Sequence, residues 1–154
     1  MVSDIDRGMQ IRLASVEDLA DLVAVDVEAF GKLAYPMFVL RQLFDVHGDC
    51  WLVAEHSAGL IGYALSAPTL NRDTGWLLAL AVSAEFRGRG YGRALLLKSL
   101  KILRANGIHE LQLTVEPNNV PAISLYRNEG FVTKEVINNY LGPGEDRVVM
   151  ELAL

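Results

Sequence analysis

Cysteine is nearly absent from this 154-residue chain: Cys50 stands alone and has no partner for an internal disulfide. That excludes the disulfide-stapled secreted folds and points to a reducing compartment, taken here as the cytoplasm. An excess of positive charge is missing too. Lys and Arg number 14 against 19 Asp and Glu, a formal net charge of −5, which argues against a general nucleic-acid binder and against attachment to anionic membranes. No apolar run approaches the roughly 18 residues of a membrane span. The opening residues, MVSDIDR, carry acids where a secretory signal carries bases. His47, His56 and His109 lack metal-ligand spacing, so no metal is expected. The breaks at Gly31, Ala67-Pro68, Glu116-Pro117 and Gly142-Pro143-Gly144 read as turns rather than linkers. What remains, 51% hydrophobic and 21% charged residues, is the composition of a single globular domain over 1–154. At this length a chain buries roughly 68–70% of its unfolded surface without staples.

Hydrophobic periodicity divides the chain into eleven elements in the order β α α β β β α β α β β, the pattern of an α/β fold, or α+β if antiparallel pairs are counted first. A short strand at 10–14 precedes Ser15, which stands three before Asp18 as a variant capping box. The helix it opens should bury Leu19, Leu22, Val23, Val27 and Phe30 and stop at Gly31. A second helix, about 37–46, carries Phe38, Leu40, Leu43 and Phe44. Trp51 to Glu55 and Leu60 to Leu65 read as a hairpin joined through His56, Ser57, Ala58 and Gly59. Trp76 to Val82 follows a turn at Asn71, Arg72 and Asp73. A helix at 91–105, with Leu96, Leu100 and Leu103 inward, stops at Gly107. A strand at 109–115, a helix from Asn118 or Asn119 to Glu129, and strands at 131–137 and 147–152 complete the order.

The stretch that carries chemistry runs from Trp76 to Ala105, where an apolar strand enters Arg87-Gly88-Arg89-Gly90-Tyr91-Gly92 and continues directly into a strong helix. Successive glycines let backbone N–H groups converge, and a helix N-terminus adds roughly half a positive charge. Arg87, Arg89, Arg93, Lys98, Lys101 and Arg104 crowd this region with no acid between 87 and 109, in an otherwise acidic chain. Two readings stand at this point: an anion site, or a glycine-rich surface turn with a solvated basic face. A Walker loop is excluded because Arg93 and Ala94 follow Gly92 where Lys-Ser/Thr is required. A dinucleotide fingerprint fails at Arg93, where its third glycine belongs.

Arg87-Gly88-Arg89-Gly90-Tyr91-Gly92 resembles the Gln/Arg-x-x-Gly-x-Gly/Ala signature of the GCN5-related N-acetyltransferases, and Leu80-Ala81-Val82 resembles the strand that precedes it in that family. The run Val115-Glu116-Pro117-Asn118-Asn119, Ala122-Ile123-Ser124-Leu125-Tyr126 and Gly130-Phe131 is similar to the family's second cofactor segment. The C-terminal half is most similar to ribosomal-protein alanine and other protein N-terminal acetyltransferases, through Asn139-Tyr140, Glu145-Asp146 and Met150.

This resemblance implies the acyl-CoA N-acyltransferase fold, a mixed central sheet of about seven strands flanked by about four helices. It implies direct transfer of an acetyl group from acetyl-CoA to a primary amine. The amides of Arg87, Gly88, Arg89, Gly90, Tyr91 and Gly92 would hold the pyrophosphate. The backbone of Leu80, Ala81 and Val82 would hold the pantetheine like an added strand, with a strand N–H polarising the thioester carbonyl. Asn119 would contact the cofactor near the thioester, and Tyr126 would donate a proton to the departing thiolate. Core packing for Tyr126 and helix capping for Asn119 are the alternatives to these roles.

The Glu or His that acts as base in several such enzymes, twelve residues before the tyrosine, corresponds here to Thr114. Lone acids elsewhere, Glu28, Glu55, Glu116 and Asp49, are the remaining candidates. An α-amine with a pKa near 7.7 to 8.0 is neutral to roughly a tenth at pH 7, whereas a lysine near 10.4 is neutral only to roughly 0.04%. The missing base therefore favours peptide N-termini or small α-amines over lysine side chains; a peptide N-terminus is the leading expectation, a small-molecule amine the second acceptor class, and a non-catalytic acyl-CoA sensor the rival outside catalysis. Tyr35 to Asp45 are expected to build part of the acceptor wall, in a monomer or a homodimer.

Overall fold

The computed structural model describes residues 8–57, 59–71 and 73–154. The expected connection residue Ala58, the turn residue Arg72 and the acidic opening stretch through Arg7 lie outside the described residues. Strands β1 (Gln10–Leu13), β2 (Trp51–His56), β3 (Gly59–Pro68), β4 (Thr74–Val82), β5 (Glu110–Val115), β6 (Val132–Ile137) and β7 (Arg147–Ala153) form one mixed sheet in the order β1-β2-β3-β4-β5-β7-β6. Helices α1 (Leu19–Phe30), α2 (Met37–His47), α3 (Tyr91–Ala105) and α4 (Val120–Asn128) fall in the expected order between them. The α/β architecture and the seven-strand, four-helix expectation hold. Among the described residues no helix is long and apolar enough to cross a membrane.

The chain forms two compact units, one made of the residues up to Ser66 together with Ala79–Ile102, the other of Ala67–Leu78 together with Leu103–Leu154. In the first, β1 pairs antiparallel with β2, and β2 with β3. Their core is Leu19, Leu22, Val25, Leu40, Trp51, Val53, Tyr63, Leu65, Ala79 and Ala81. In the second, β4 and β5 pair in parallel, while β7 lies antiparallel to both β5 and β6. Leu111, Leu113 and Val115 on β5 are buried in alternation with half-buried Glu110, Gln112 and Thr114, the period-two pattern of a strand with unlike faces.

Ser15 and Asp18 form the expected capping box, with Ser15 N–H donating to Asp18 Oδ2 at 2.7 Å. A short 3-10 turn, Val16–Asp18, intervenes before α1. Arg12 grips the same carboxylate with both terminal nitrogens, at 2.7 and 2.9 Å, and donates from Nε to Glu55 Oε2 at 3.0 Å. The cap is thereby tied to β1 and β2.

Two expected buried faces shift. On α1 the buried residues are Leu19, Leu22, Val25 and Asp26, while Val27 is 53% exposed and Phe30 also faces outward. Counting apolar residues alone passes over Asp26, which lies within the buried arc, and so turns the face too far round the helix. On α2, Leu40 is buried and Leu43 and Phe44 pack against the core, but Phe38 is 67% exposed. Phe38 stands two residues before Leu40, which places it on the opposite side of a 3.6-residue turn.

The Arg12–Asp18 pair makes stability depend on pH. The hydrogen bonds from Arg12 hold the Asp18 carboxyl below its ordinary value, so its contribution is present above the unfolded pKa of 3.8 and fades as pH falls through the lower folded value. Asp18→Asn should lower stability by about 1–3 kcal/mol at neutral pH, the cost of losing charge-assisted hydrogen bonds. Denaturant unfolding of both proteins should show that difference shrinking as pH falls below the unfolded value of 3.8. A difference that persists unchanged into acid contradicts the assignment.

Candidate active site

β4 ends at Val82, a short 3-10 turn spans Ala84–Phe86, and α3 begins at Tyr91. Gly88 and Gly90 have φ of 76° and 87°, a left-handed conformation that residues with a Cβ rarely adopt, although open space surrounds both. Glycine is needed here for the backbone angle, not for room. Ala94 N–H donates to Gly90 carbonyl at 3.0 Å, closing the first turn of α3. The N–H groups of Tyr91, Gly92 and Arg93 precede any intrahelical acceptor and point with the helix dipole. Backbone donors of this kind form an anion site.

The side chains of the turn are largely occupied in bracing it. Arg87 Nε donates to the Val82 carbonyl at 2.9 Å, and the Arg89 guanidinium lies 5.3 Å from the centre of the Phe86 ring. Phe86 in turn packs against His56 and Tyr91. Lys98, counted with the basic run, donates to the Ile11 carbonyl at 2.9 Å. Glu28 on α1, a candidate base by sequence, accepts from Ala84 N–H at 2.7 Å at the entrance to the turn.

The ladder between β4 and β5 runs from Thr74↔Glu110 to Leu77↔Leu113, and β4 continues to Val82. Within that extension Ala79 and Ala81 are buried, while Leu80 and Val82 are half-buried on the other face. Sequence reasoning missed Gly62 on β3. A Cβ there would lie 2.6 Å from the Ala81 carbonyl oxygen and 3.3 Å from Val82 Cα, so only glycine lets β3 press this closely on β4. Ser83 N–H donates to the Ile61 carbonyl at 2.7 Å just beyond. An isolated glycine inside an apolar strand was the available signal.

In the second unit, Asn119 caps α4, its Oδ1 accepting from Ala122 N–H at 3.2 Å. Tyr126 is seven residues on, two turns along the same face, and is 7% exposed. Its ring meets Phe131 edge-on at 5.6 Å, and burial pushes the phenol up to about 12. Both alternatives raised from sequence, capping and packing, thus describe real contacts of these side chains. Thr114 sits on the polar face of β5 with Gln112, whose Nε2 donates to Glu110 at 2.9 Å. Glu116 and Glu145 face Arg147 at 3.7 and 3.3 Å, lining a recess of about 340 Å³ with Pro117, Asn118, Gly144 and Asp146.

The segment from Asn139 to Asp146 closes on itself. Asn139, at φ 56°, donates from its N–H to Asp146 Oδ1 at 2.8 Å, and its own Oδ1 accepts from Gly144 N–H at 2.8 Å. Tyr140 and Leu141 are left exposed at its tip. Among the described residues no group of three or more His, Cys, Asp or Glu has metal-binding geometry.

Strands and helices alternating around a mixed sheet, with a strand entering a glycine turn at a helix N-terminus, define the α/β class of this protein. The chain belongs to the acetyltransferase (GNAT) family, whose model matches residues 16–131. It is 29% identical to an N-alpha-acetyltransferase of Sulfolobus acidocaldarius over 94% of this chain and 92% of that protein. Its fold matches the crystal structure of Ard1 from Thermoplasma volcanium with a TM-score of 0.88 at 22% identity, covering 96% of this chain and 98% of that one. It matches the ribosomal-protein-alanine N-acetyltransferase from Brucella melitensis with a TM-score of 0.81 at 25% identity, covering 94% and 99%.

Gly90→Asp should weaken acetyl-CoA binding at least about tenfold in calorimetry, because it adds a carboxylate at the anion site and strains a backbone at φ 87°. Affinity equal to wild type in a folded variant contradicts an anion site on this turn.

Proposed function

We propose that the chain transfers the acetyl group of acetyl-CoA to the α-amine of a protein or peptide N-terminus. The observation that carries the cofactor half is the run of β4 beyond its Leu77↔Leu113 pairing into the Gly88 and Gly90 turn. The acceptor half is supported by the likeness to an N-alpha-acetyltransferase along nearly the whole chain. The single-domain reading belongs to the same proposal, since the family match crosses segments of both units. A cytoplasmic location is likewise proposed, on the strength of the lone Cys50.

In this assignment the backbone amides from Arg87 to Gly92 hold the diphosphate. Arg87 and Arg89 already engage Val82 and Phe86, so their side chains shape the turn more than they neutralise the ligand. The edge of Leu80, Ala81 and Val82 pairs with the pantetheine arm, and a β4 N–H donates to the thioester carbonyl. Asn119 has its Oδ1 committed to the α4 cap, which leaves Nδ2 to donate to the cofactor. The segment Tyr35 to Asp45 forms part of the acceptor wall.

Acetyl-CoA supplies the thioester carbonyl carbon. The neutral amine forms the C–N bond, the C–S bond breaks, and the proton given up by nitrogen ends on sulfur. Tyr126 is a weak acid for this task. At about 12 it lies well above a thiol near 8.5, so it serves as a hydrogen-bond donor to the departing sulfur rather than as the net source of the proton. Thr114 supplies no carboxylate or imidazole to deprotonate the acceptor, which suits an α-amine already partly neutral at pH 7.

Two measurements test this reading on a peptide library with acetyl-CoA. Tyr126→Phe should lower kcat about 10²-fold while leaving acetyl-CoA affinity unchanged; full turnover in this variant removes the tyrosine from the mechanism. In wild type, kcat/KM should rise with pH to about 8 as the α-amine loses its proton, then hold level to about pH 10. The raised phenol value keeps Tyr126 protonated throughout that range, so a falling limb below about pH 10 contradicts its role.

A further inference from the structure

α1 carries three carboxylates, Asp21, Asp26 and Glu28, and the last two, unused by the proposed transfer chemistry, each accept from a different backbone segment. Asp26 is 0% exposed, inside the cluster formed by Leu22, Val25, Leu40, Trp51 and Tyr63. Its Oδ1 accepts from the Tyr63 hydroxyl on β3, and its Oδ2 accepts from Tyr35 N–H at 2.6 Å. Glu28 faces solvent and accepts from Ala84 N–H, at the entrance to the glycine turn. A spacing of two residues sets the two side chains roughly 200° apart on the helix, so one reaches inward and the other outward.

Burying a carboxylate in an apolar cluster is unfavourable, and an apolar residue of similar size in its place is often neutral or stabilising. What Asp26 supplies that an apolar residue cannot is a fixed position for a piece of backbone. Tyr35 precedes Pro36, and α2 starts at Met37. The Tyr35 N–H therefore sets where α2 begins and how the outward-facing Phe30, Leu33, Met37 and Phe38 are presented.

We propose that Asp26 is a positioning residue for the acceptor: by holding Tyr35 N–H and the Tyr63 hydroxyl at once, it anchors the α1–α2 connection to β3 and so sets the acceptor wall. This rests on the assignment of that wall under the proposed function. Glu28 does the corresponding work for the cofactor side, through Ala84. Two carboxylates on one helix thus divide the two binding tasks, and the division is measurable.

The experiment compares wild type, Asp26→Asn, Tyr63→Phe and Glu28→Ala for acceptor-peptide KM, kcat, acetyl-CoA Kd by calorimetry, and Tm. Asparagine keeps the shape of Asp26 but can accept at only one oxygen, so one grip is lost. Asp26→Asn should raise acceptor KM about tenfold and leave kcat and acetyl-CoA Kd within about twofold of wild type. Tyr63→Phe should move KM the same way by a smaller factor. Glu28→Ala should show the reverse pattern, weaker acetyl-CoA binding at unchanged acceptor KM.

An unmoved KM in both Asp26→Asn and Tyr63→Phe overturns the positioning role. So does a parallel loss of KM, kcat, acetyl-CoA affinity and Tm, the mark of a merely structural residue. Should Asp26→Asn fail to fold, Tyr63→Phe decides alone. Wild type that binds acetyl-CoA yet acetylates no amine overturns the proposed function and this role with it. That result is distinct from an active wild type whose KM the variants leave unmoved, which overturns the role of Asp26 alone.

Discussion

The first amides of a helix have no acceptor within it, and presenting them at the start of α3 makes a demand that the surrounding structure is arranged to meet. The demand is met only if the chain turns from β4 into α3 through two left-handed residues, Gly88 and Gly90. It also requires β4 to arrive at a fixed angle, which depends on Gly62: its missing Cβ leaves room for the Ala81 carbonyl, and Ser83 N–H closes onto the Ile61 carbonyl beside it. The Arg87 bond to Val82 and the ring contacts of Phe86 then hold the turn from its own side chains. Strand, turn and helix are therefore one device rather than three adjacent elements.

This device accounts for how the basic run should be understood. Counting charge along residues 87–109 suggests a dense positive field, but Arg87, Arg89 and Lys98 have specific partners: a carbonyl at 2.9 Å, an aromatic face at 5.3 Å and a β1 carbonyl at 2.9 Å. Exposed charges contribute little to binding in salt, whereas backbone donors at a helix start are fixed in direction and need no side-chain ordering. In the proposed assignment the amides do most of the recognition and the arginines do most of the shaping.

Element order was legible in the sequence because each boundary has a local cause: Ser15 with Asp18 before α1, Gly31 after it, Asn119 before α4, and Gly107 and Gly130 in left-handed conformations where helices stop. Helix α3 falls on the residues its leucine spacing indicates. Failures arose where burial depends on partners remote in sequence. Asp26 reads as a solvated charge until Tyr63, thirty-seven residues later, and the Tyr35 amide are brought to it. The outward turn of Val27 follows from the same missing information, whereas that of Phe38 follows from its place two residues before Leu40. Within the candidate site, the glycines, Asn119 and Tyr126 were visible as types in a pattern. The close approach of Gly62 to Ala81 and the bond from Ala84 to Glu28 are pairings across the fold, and spacing along the chain does not name their partners.

An active site that relied on strong acid–base catalysis would set a base near neutrality and an acid matched to its leaving group. In the proposed assignment neither is provided: Thr114 takes the place of the base, and burial carries Tyr126 up to about 12, away from the range of a thiol. Both departures point the same way. With little proton transfer assigned to side chains, rate enhancement must come from holding amine and thioester in line and from polarising the carbonyl with fixed donors. Such a design works for a nucleophile that is already partly neutral and fails for one that is almost wholly charged. The acceptor is therefore constrained by its own pKa as much as by the shape of the wall that receives it, and an α-amine meets that constraint where a lysine side chain does not.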